Sequence, residues 1–411
     1  MKIVHLTGFF MPTMGYQERY LALHHVEMGH KVWILTSALR HPLGEYQWLG
    51  SDGQERRMTP GLRTNELPGV QVIRLEAKVE LRQRVWLVGL ERALREIDPD
   101  MIVAHGMNNL NTLRVVLMRL SGKLKPSCTI VTDDHMLFSA GGKSVARSLF
   151  YFLIAKAWMP LMRRARVQFV AVSDETKLYV EQFYGLRPAE VLVIPLGVDV
   201  DTFQRDEARG HDLRRHLGIP IEATVIIQTG KIIANKGQQI LLEAALPLLV
   251  QDPRVWVVFV GTGDPQYIQS LQSLSSGKGV QERVRFIPPV HHDALPAYYS
   301  AADIAVWPLQ ESMSVQDASS CQLPVIMRNS HVGRERTSHG RGRTYSSPAE
   351  LTEALGWLVR DASARKEMGR RGREFIEREL SWRQLAKRFL ELRDRESSFG
   401  GALPPTASDL R

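Results

Sequence analysis

Short apolar runs alternate with amphipathic stretches along nearly the whole chain. In the first half the apolar runs are "KIVHLT" (2–7), "KVWILT" (31–36), "VQVIRL" (70–75), "MIVAH" (101–105), "TIVTD" (129–133), "VQFVAV" (167–172) and "VLVIP" (191–195). Their length and β-branched content predict strands, and their continuity fits a parallel sheet covered on both faces. Between the first two lies "GYQERYLALHHVEMGH", which has helical spacing and Gly29 as its stop. Residues 41–66 show no period and predict a long excursion. A second series follows the charged stretch 205–220: "TVIIQTG" (224–230), "VWVVFVGTG" (255–263), "VRFIP" (284–288), "DIAVWP" (303–308) and "PVIM" (324–327). Helices are predicted from Gly237, from Pro265 and near 293–300. The pattern predicts an α/β chain of two doubly wound domains, residues 1–200 and 201–380. A closing helix over 381–396 can pack back toward the first domain, and 397–411 reads as a disordered tail.

With 411 residues the chain is long enough for two domains, each with its own core. The formal net charge of +9 makes an anionic partner plausible: nucleic acid, a phosphate-bearing substrate or an anionic membrane. No nucleic-acid recognition module accompanies that charge. The two cysteines, Cys128 and Cys321, offer neither a disulfide framework nor a metal site, a usage expected of a reducing cytoplasm. The N-terminal "MKIVHLTGFF" turns polar too soon for a signal peptide. No apolar run approaches the roughly 20 residues of a spanning helix; the nearest is "LFYFLIA" at 149–155. From Lys143 to Arg166 basic residues are interleaved with aromatic ones and no acid occurs, which reads either as an anionic membrane surface contact or as a core helix with a solvated face.

Doubly wound sheets bind ligands beyond the carboxyl ends of their strands, so the turns after strands are where chemistry is expected. "QTGKIIANKGQQ" (228–239) places Lys231 and Lys236 around a tight turn that opens a helix at Gly237. Backbone N–H groups and two ammonium groups there suit a diphosphate. "QESMSVQDASSCQLPVI" (310–326) places Glu311 in a loop and Asp317 near a helix start, where Ser314 and Asp317 fit a capping box. Glu311 lies outside that box and could accept hydrogen bonds from ligand hydroxyls. "FFMPTMGYQERYLA" (9–22) gives the first domain a matching turn, with Gly15 allowing close approach and Glu18 in the first helical turn. "VTDDHMLF" (131–138) sets Asp133, Asp134 and His135 after a strand, where acid and imidazole could orient a reacting group. A metal role for "DVD" (199–201) is not expected.

Taken together, and in this order, these segments resemble the family 4 glycosyltransferases of the GT-B fold, over nearly the full chain to about residue 395. "PTMGYQE" resembles P-x-x-G-G-x-E, with Tyr16 at the second glycine. "VIPLGVD" is similar to the family's P-N-G-V-D, with Leu196 at the asparagine, and "GKIIANKG" to G-R-L-x-x-x-K-G. "DASSCQLPVI" resembles the tail of the acidic E-x7-E loop, with Asp317 at the second acid, Glu311 six positions earlier instead of eight, and Gln322 where a left-handed glycine is usual. The resemblance implies two Rossmann-like domains facing an interdomain cleft, and a retaining transferase with no cofactor and no obligatory metal. It implies a nucleotide-sugar donor, UDP- or GDP-linked, held by Gly15, Lys231, Lys236, Glu311, Ser312, Met313, Ser314, Val315 and Asp317. It implies catalytic places for Glu311 and for His135, the preferred match to the family histidine, with Asp134, on which strict spacing lands, kept beside it. The acceptor is expected to be a polysaccharide, glycolipid or lipid carrier, at a cytoplasmic site, and the basic aromatic stretch adds the expectation of a peripheral place on the inner membrane face. A nucleotide-sugar epimerase of the same shape and a non-catalytic sugar-binding scaffold are the alternatives.

Overall fold

The computed structural model describes residues 1–13, 16–40, 57–81, 84–138, 145–309 and 312–398. The chain divides into two compact units, Met1–Gly197 with Trp382–Arg411, and Val198–Ser381.

Unit 1 is built on an eight-stranded sheet. Its strands are β1 (Lys2–Leu6), β2 (Lys31–Ser37), β3 (Gly61–Arg63), β4 (Val70–Leu75), β7 (Met101–His105), β8 (Thr129–Asp134), β9 (Gln168–Ala171) and β10 (Val191–Val193). The spatial order is β10-β9-β8-β7-β1-β2-β4-β3. All neighbours run parallel except β3, which lies antiparallel to β4 at the edge. Strands β5 (Ala77–Leu81) and β6 (Arg84–Leu87) form a separate hairpin. Every residue of β8 is buried, as expected for a parallel sheet covered on both faces. The closing helix Trp382–Ser398 belongs to this unit and buries Trp382, Leu385, Ala386 and Phe389 beside Ile3, Tyr20 and Ile34. Trp382 stacks on Tyr20 at 5.2 Å between ring centroids. Gly197 makes room for it, since a Cβ there would stand 2.6 Å from the Trp382 ring.

Unit 2 has six parallel strands, β11 (Thr224–Thr229), β12 (Val255–Val260), β13 (Val284–Ile287), β14 (Ile304–Trp307), β15 (Val325–Arg328) and β16 (Gly342–Tyr345). Their order is β13-β12-β11-β14-β15-β16. The chain moves outward from β11 to β13, returns to the other side of β11 at β14 and moves outward again, the doubly wound order of a dinucleotide-binding sheet. Two apolar layers, one on each face, bury both sides of β11 and β12.

One difference from the sequence reading concerns 145–164. The segment forms one continuous helical run, Val145–Arg164, with a π-helical turn at Ile154–Trp158. By length and composition it is the one helix among the described residues apolar enough to cross a membrane. Part of its surface is bare: Val145 is 88% exposed, and Leu149, Phe152 and Leu153 are also exposed. Ile154, Met159 and Met162 are buried in the core of unit 1.

Candidate functional site

In each sheet one pair of adjacent strands marks the point where the winding reverses, and the loops leaving those strands diverge to leave a crevice. In unit 2 that pair is β11 and β14; in unit 1 it is β1 and β7. The residues singled out in the sequence fall largely on the loops that leave them.

After β11 the backbone turns through Gly230, at φ +123°, into a short 3-10 turn at Ala234–Lys236, and opens the helix Gln238–Gln251 through Gly237, at φ +77°. Gly237 does two things. Its left-handed conformation favours glycine, and a Cβ there would meet Pro308 at 2.8 Å and Leu309 at 2.9 Å. The lysine turn is thus packed against the loop leaving β14. From the other side, a Cβ on Gly261 would stand 1.9 Å from the Gly230 carbonyl oxygen, so the turn after β12 lies backbone to backbone with it. Two buried amides brace the turn: Gln228 Nε2 donates to the Lys236 carbonyl at 2.9 Å, and Gln238 Nε2 to the Lys231 carbonyl at 3.0 Å. Neither glutamine was picked out in the sequence, although both sit inside "QTGKIIANKGQQ". Lys231 is exposed and Lys236 half-buried.

On the β14 side, Glu311 lies outside the described residues, as do Gly15 and Lys143. Ser312 and Met313 lead into the helix Ser314–Ser320. The expected Ser314–Asp317 capping box does not form. Met313 occupies the cap position and the Ser314 N–H donates to Ser312 Oγ at 3.3 Å. The Val315 N–H is spent on the Ser312 carbonyl at 3.2 Å. Arg336 donates to that same carbonyl and fixes the loop from below. Asp317 is buried, with Oδ2 at 3.9 Å from His292 Nε2. Burial pushes its carboxyl up, partly offset by His292. Burial alone would depress His292, but Asp317, Asp293 and Asp199 raise it above its ordinary value. His292 is a site residue that the sequence did not reveal, because its partner lies 25 residues on. Tyr299 donates to or accepts from Thr229 Oγ1 at 2.8 Å and ties the end of β11 to the core. Gln322 takes φ +60°, the left-handed cap conformation expected of a glycine at this place.

In unit 1 the loops after β1 and β7 enclose a cavity of about 250 Å³ lined by Thr7, Phe9, Tyr16, Glu18, His105 and Asn109. Beneath it runs a buried chain of polar groups. His25 Nε2 lies 3.2 Å from the Ala386 carbonyl oxygen, and His25 Nδ1 lies 3.2 Å from His5 Nε2. His5 Nδ1 lies 3.2 Å from His105 Nε2, and His105 Nδ1 lies 2.6 Å from Asp133 Oδ2. The Ala386 carbonyl can only accept, and so can an ionised Asp133. Four hydrogen bonds in series need four protons, whereas three neutral imidazoles carry three. The relay therefore binds one extra proton, which balances the carboxylate. Gly106 N–H at 3.1 Å and Gln17 Nε2 at 3.1 Å also donate to Asp133, favouring the ionised acid and placing the cation on His105. The titration tendencies agree. Burial opposes both charges, yet each partner's charge prevails, so Asp133 is held below and His105 above the ordinary value. Burial depresses His5 strongly and His25 to about 4, so those rings are neutral.

Of the two catalytic positions expected after β8, Asp134 is buried and its Oδ1 accepts from Met136 N–H at 2.8 Å. Burial pushes its carboxyl up to about 7. His135 is exposed, with Nε2 at 3.9 Å from Asp133 Oδ1. Asp133, not Asp134, is thus the hub of this site, gathering Gln17, His105, Gly106 and His135.

Comparison with known proteins follows the same division. Residues 18–202 match the family described as Glycosyltransferase Family 4, and residues 223–361 match Glycosyl transferases group 1. A GDP-mannose-dependent alpha-(1-6)-phosphatidylinositol monomannoside mannosyltransferase of Mycobacterium tuberculosis is 25% identical over 95% of this chain and 97% of its own. A D-inositol 3-phosphate glycosyltransferase of Geodermatophilus obscurus is 35% identical over 40% of this chain, a match that spans 38% of that relative's length. Among solved structures, Anabaena Alr3699/HepE in complex with UDP superposes with a TM-score of 0.67 at 18% identity, covering 96% of this chain and 100% of that one. The chain belongs to the family 4 glycosyltransferases, on the two-domain GT-B fold.

Proposed function

We propose that this protein moves a sugar, with retention, from a nucleoside-diphosphate donor to a hydroxyl of a glycan or lipid-linked acceptor. Unit 2 takes the donor and the cavity of unit 1 the acceptor. The observation that carries this reading is that the Lys231–Lys236 turn and the loop leading to Ser312 and Met313 meet at the β11/β14 switch point through Gly237, Pro308 and Leu309. A diphosphate leaving group develops negative charge as the glycosidic bond breaks. Ammonium groups and backbone N–H groups fixed there lower the barrier more than they stabilise the bound donor. Lys231 and Lys236 are assigned to the diphosphate. Ser312 and Met313, with Ser314, Val315, Gly15 and Glu311, are assigned to the donor's remaining contacts. Asp317 orients His292 rather than reaching the ligand itself, because it is buried against that ring. In a retaining transfer the acceptor attacks the face the leaving group departs from, and the departing phosphate oxygen takes the acceptor proton. His135 and Asp134 border the acceptor side.

The relative's GDP-mannose and the neighbour's UDP support a GDP- or UDP-linked donor. The relative's phosphatidylinositol mannoside substrate supports a lipid-linked acceptor. The bare apolar face of Val145–Arg164, flanked by Arg147, Lys156 and Arg164, supports peripheral attachment to an anionic membrane surface, on its cytoplasmic side. Arg163 is not part of that face, since Glu190 holds it at 2.8 Å. Steady-state turnover of Lys236→Ala tests the mechanism. The loss expected is about 2–4 kcal/mol of transition-state stabilisation, and near wild-type turnover would remove Lys236 from it.

A further inference from the structure

The walls of the unit 1 cavity are chemically selective. At about 250 Å³ it has room for one sugar or cyclitol ring. Phe9 and Tyr16 give it aromatic surface, and Glu18 and Asn109 bring polar groups from the segments that follow β1 and β7. We propose that Glu18 is a specificity-determining residue: with Asn109 it reads the hydroxyls of an uncharged ring polyol, and its carboxylate turns away a ring that carries phosphate. The inference rests on the reading that unit 1 takes the acceptor, and it names the chemical class of that acceptor's bound ring.

Three observations carry the assignment. First, both polar groups are unspent and reachable. Asn109 Oδ1 caps the helix Leu110–Leu120 by accepting from the Asn111 N–H at 3.0 Å, which leaves the Nδ2 donors without a partner among the described residues. Glu18 accepts only from its own backbone N–H. Both side chains are half-buried, and their unspent atoms are not shut off from water. Second, the two sit in one wall. Gly106, at φ +105°, turns the chain after β7 so that a Cβ there would stand 3.4 Å from the Asn109 Cβ. Burial raises the Glu18 carboxyl, and the charge of the adjoining His105 draws it part of the way back. A group that only accepts beside one that donates matches hydroxyls, which do both. Third, the charge does not balance. His105 and Glu18 are the charged groups of the wall. His105 is already matched by Asp133 at 2.6 Å, and both its N–H groups are spent inside the relay, on Asp133 and His5. Glu18 is left uncompensated, and its place in the first turn of the helix Gln17–Glu27 favours the ionised form. A phosphate entering here meets a like charge and no unspent cation, which is how a site rejects a competitor that differs by charge alone.

The test is titration of the full-length protein, without donor, with two probe pairs: myo-inositol against myo-inositol 3-phosphate, and methyl mannoside against mannose 6-phosphate. Binding is followed through the Asn109 side-chain amide NMR signals. In wild type the neutral member of at least one pair should give a saturable shift, and its phosphate should bind at least about tenfold more weakly. Glu18→Gln keeps the shape of the side chain and an acceptor for its own N–H. In that variant the neutral probe should weaken about tenfold, through loss of a charge-assisted contact, and the preference over the phosphate should disappear. An unchanged urea midpoint separates this from lost folding, and the comparison of probes in wild type stands without the variant. No saturable shift with either neutral probe, a phosphate that binds wild type as tightly as its neutral partner, or a preference unchanged in Glu18→Gln would each overturn the inference. The transferase reading fails differently: binding with the expected discrimination, but no sugar transfer to any hydroxyl, would count against that reading and leave the role of Glu18 in place.

Discussion

Histidines 5, 25 and 105 each sit inside an apolar or helical run, so nothing in the sequence links them, although the stretch ending in His135 already stood out. Their coupling exists only because β1, β7 and the helix Gln17–Glu27 bring positions 20 and 100 residues apart into contact. The same register pairs His105 with Asp133, which shifts the hub one residue from the acid that strict spacing selects. The proton count makes a prediction that needs no variant. Nitrogen-15 NMR of the imidazole rings at neutral pH should show both His105 nitrogens protonated, and only Nε2 protonated in His5 and His25. A pyridine-type nitrogen on His105 would break the count. Asp134 makes a second prediction. Its folded value of about 7 lies above that of an unfolded carboxylate, about 3.9. The folded state therefore binds more protons between those values, and the stability this group confers is present in acid and lost as pH rises toward and through 7. Asp134→Asn keeps the acceptor for the Met136 N–H and removes the titration. Denaturant unfolding of this variant should show a flatter pH dependence between about 4 and 7 than wild type; an unchanged slope would assign the dependence elsewhere.

At the scale of elements, the central strands were legible because burial on both faces makes them continuous apolar runs. β4, β7 and β11 coincide with those runs or fall within one residue of them. The edge elements were not. β16, "GRTY", and β3, "GLR", are short and polar because one side has no neighbour, and they carry no period to read. The β5–β6 hairpin was missed for the same reason. The helical run Val145–Arg164 was legible as basic and aromatic, but its exposed face was not, since only packing decides which apolar residues the core takes. Val145, Leu149, Phe152 and Leu153 recur at helical spacing on that bare face. Sedimentation with phosphatidylglycerol vesicles should capture the protein at low salt and release part of it at high salt, and Leu149→Glu with Phe152→Glu should abolish capture. Capture that ignores lipid charge, salt and both substitutions would leave this face without a membrane role.

For the whole molecule, the order of the motifs was more informative than any one of them. Each glycine or lysine turn alone is common, but their succession matched two family descriptions that together span most of the chain. What the sequence could not convey is why those turns matter. The strand order places the loops after β11 and β14, and after β1 and β7, at the two switch points, and glycines 237 and 261 hold the unit 2 turns within contact distance of their neighbours. The central claim is that Lys231 and Lys236 serve the diphosphate of the donor. Calorimetric titration of wild type and of Lys231→Ala/Lys236→Ala with UDP, GDP and the corresponding monophosphates tests it directly. The account predicts that the double variant loses at least about tenfold in affinity for the preferred diphosphate, while its weaker binding of the monophosphate changes little. Equal diphosphate affinity in the two proteins would contradict it.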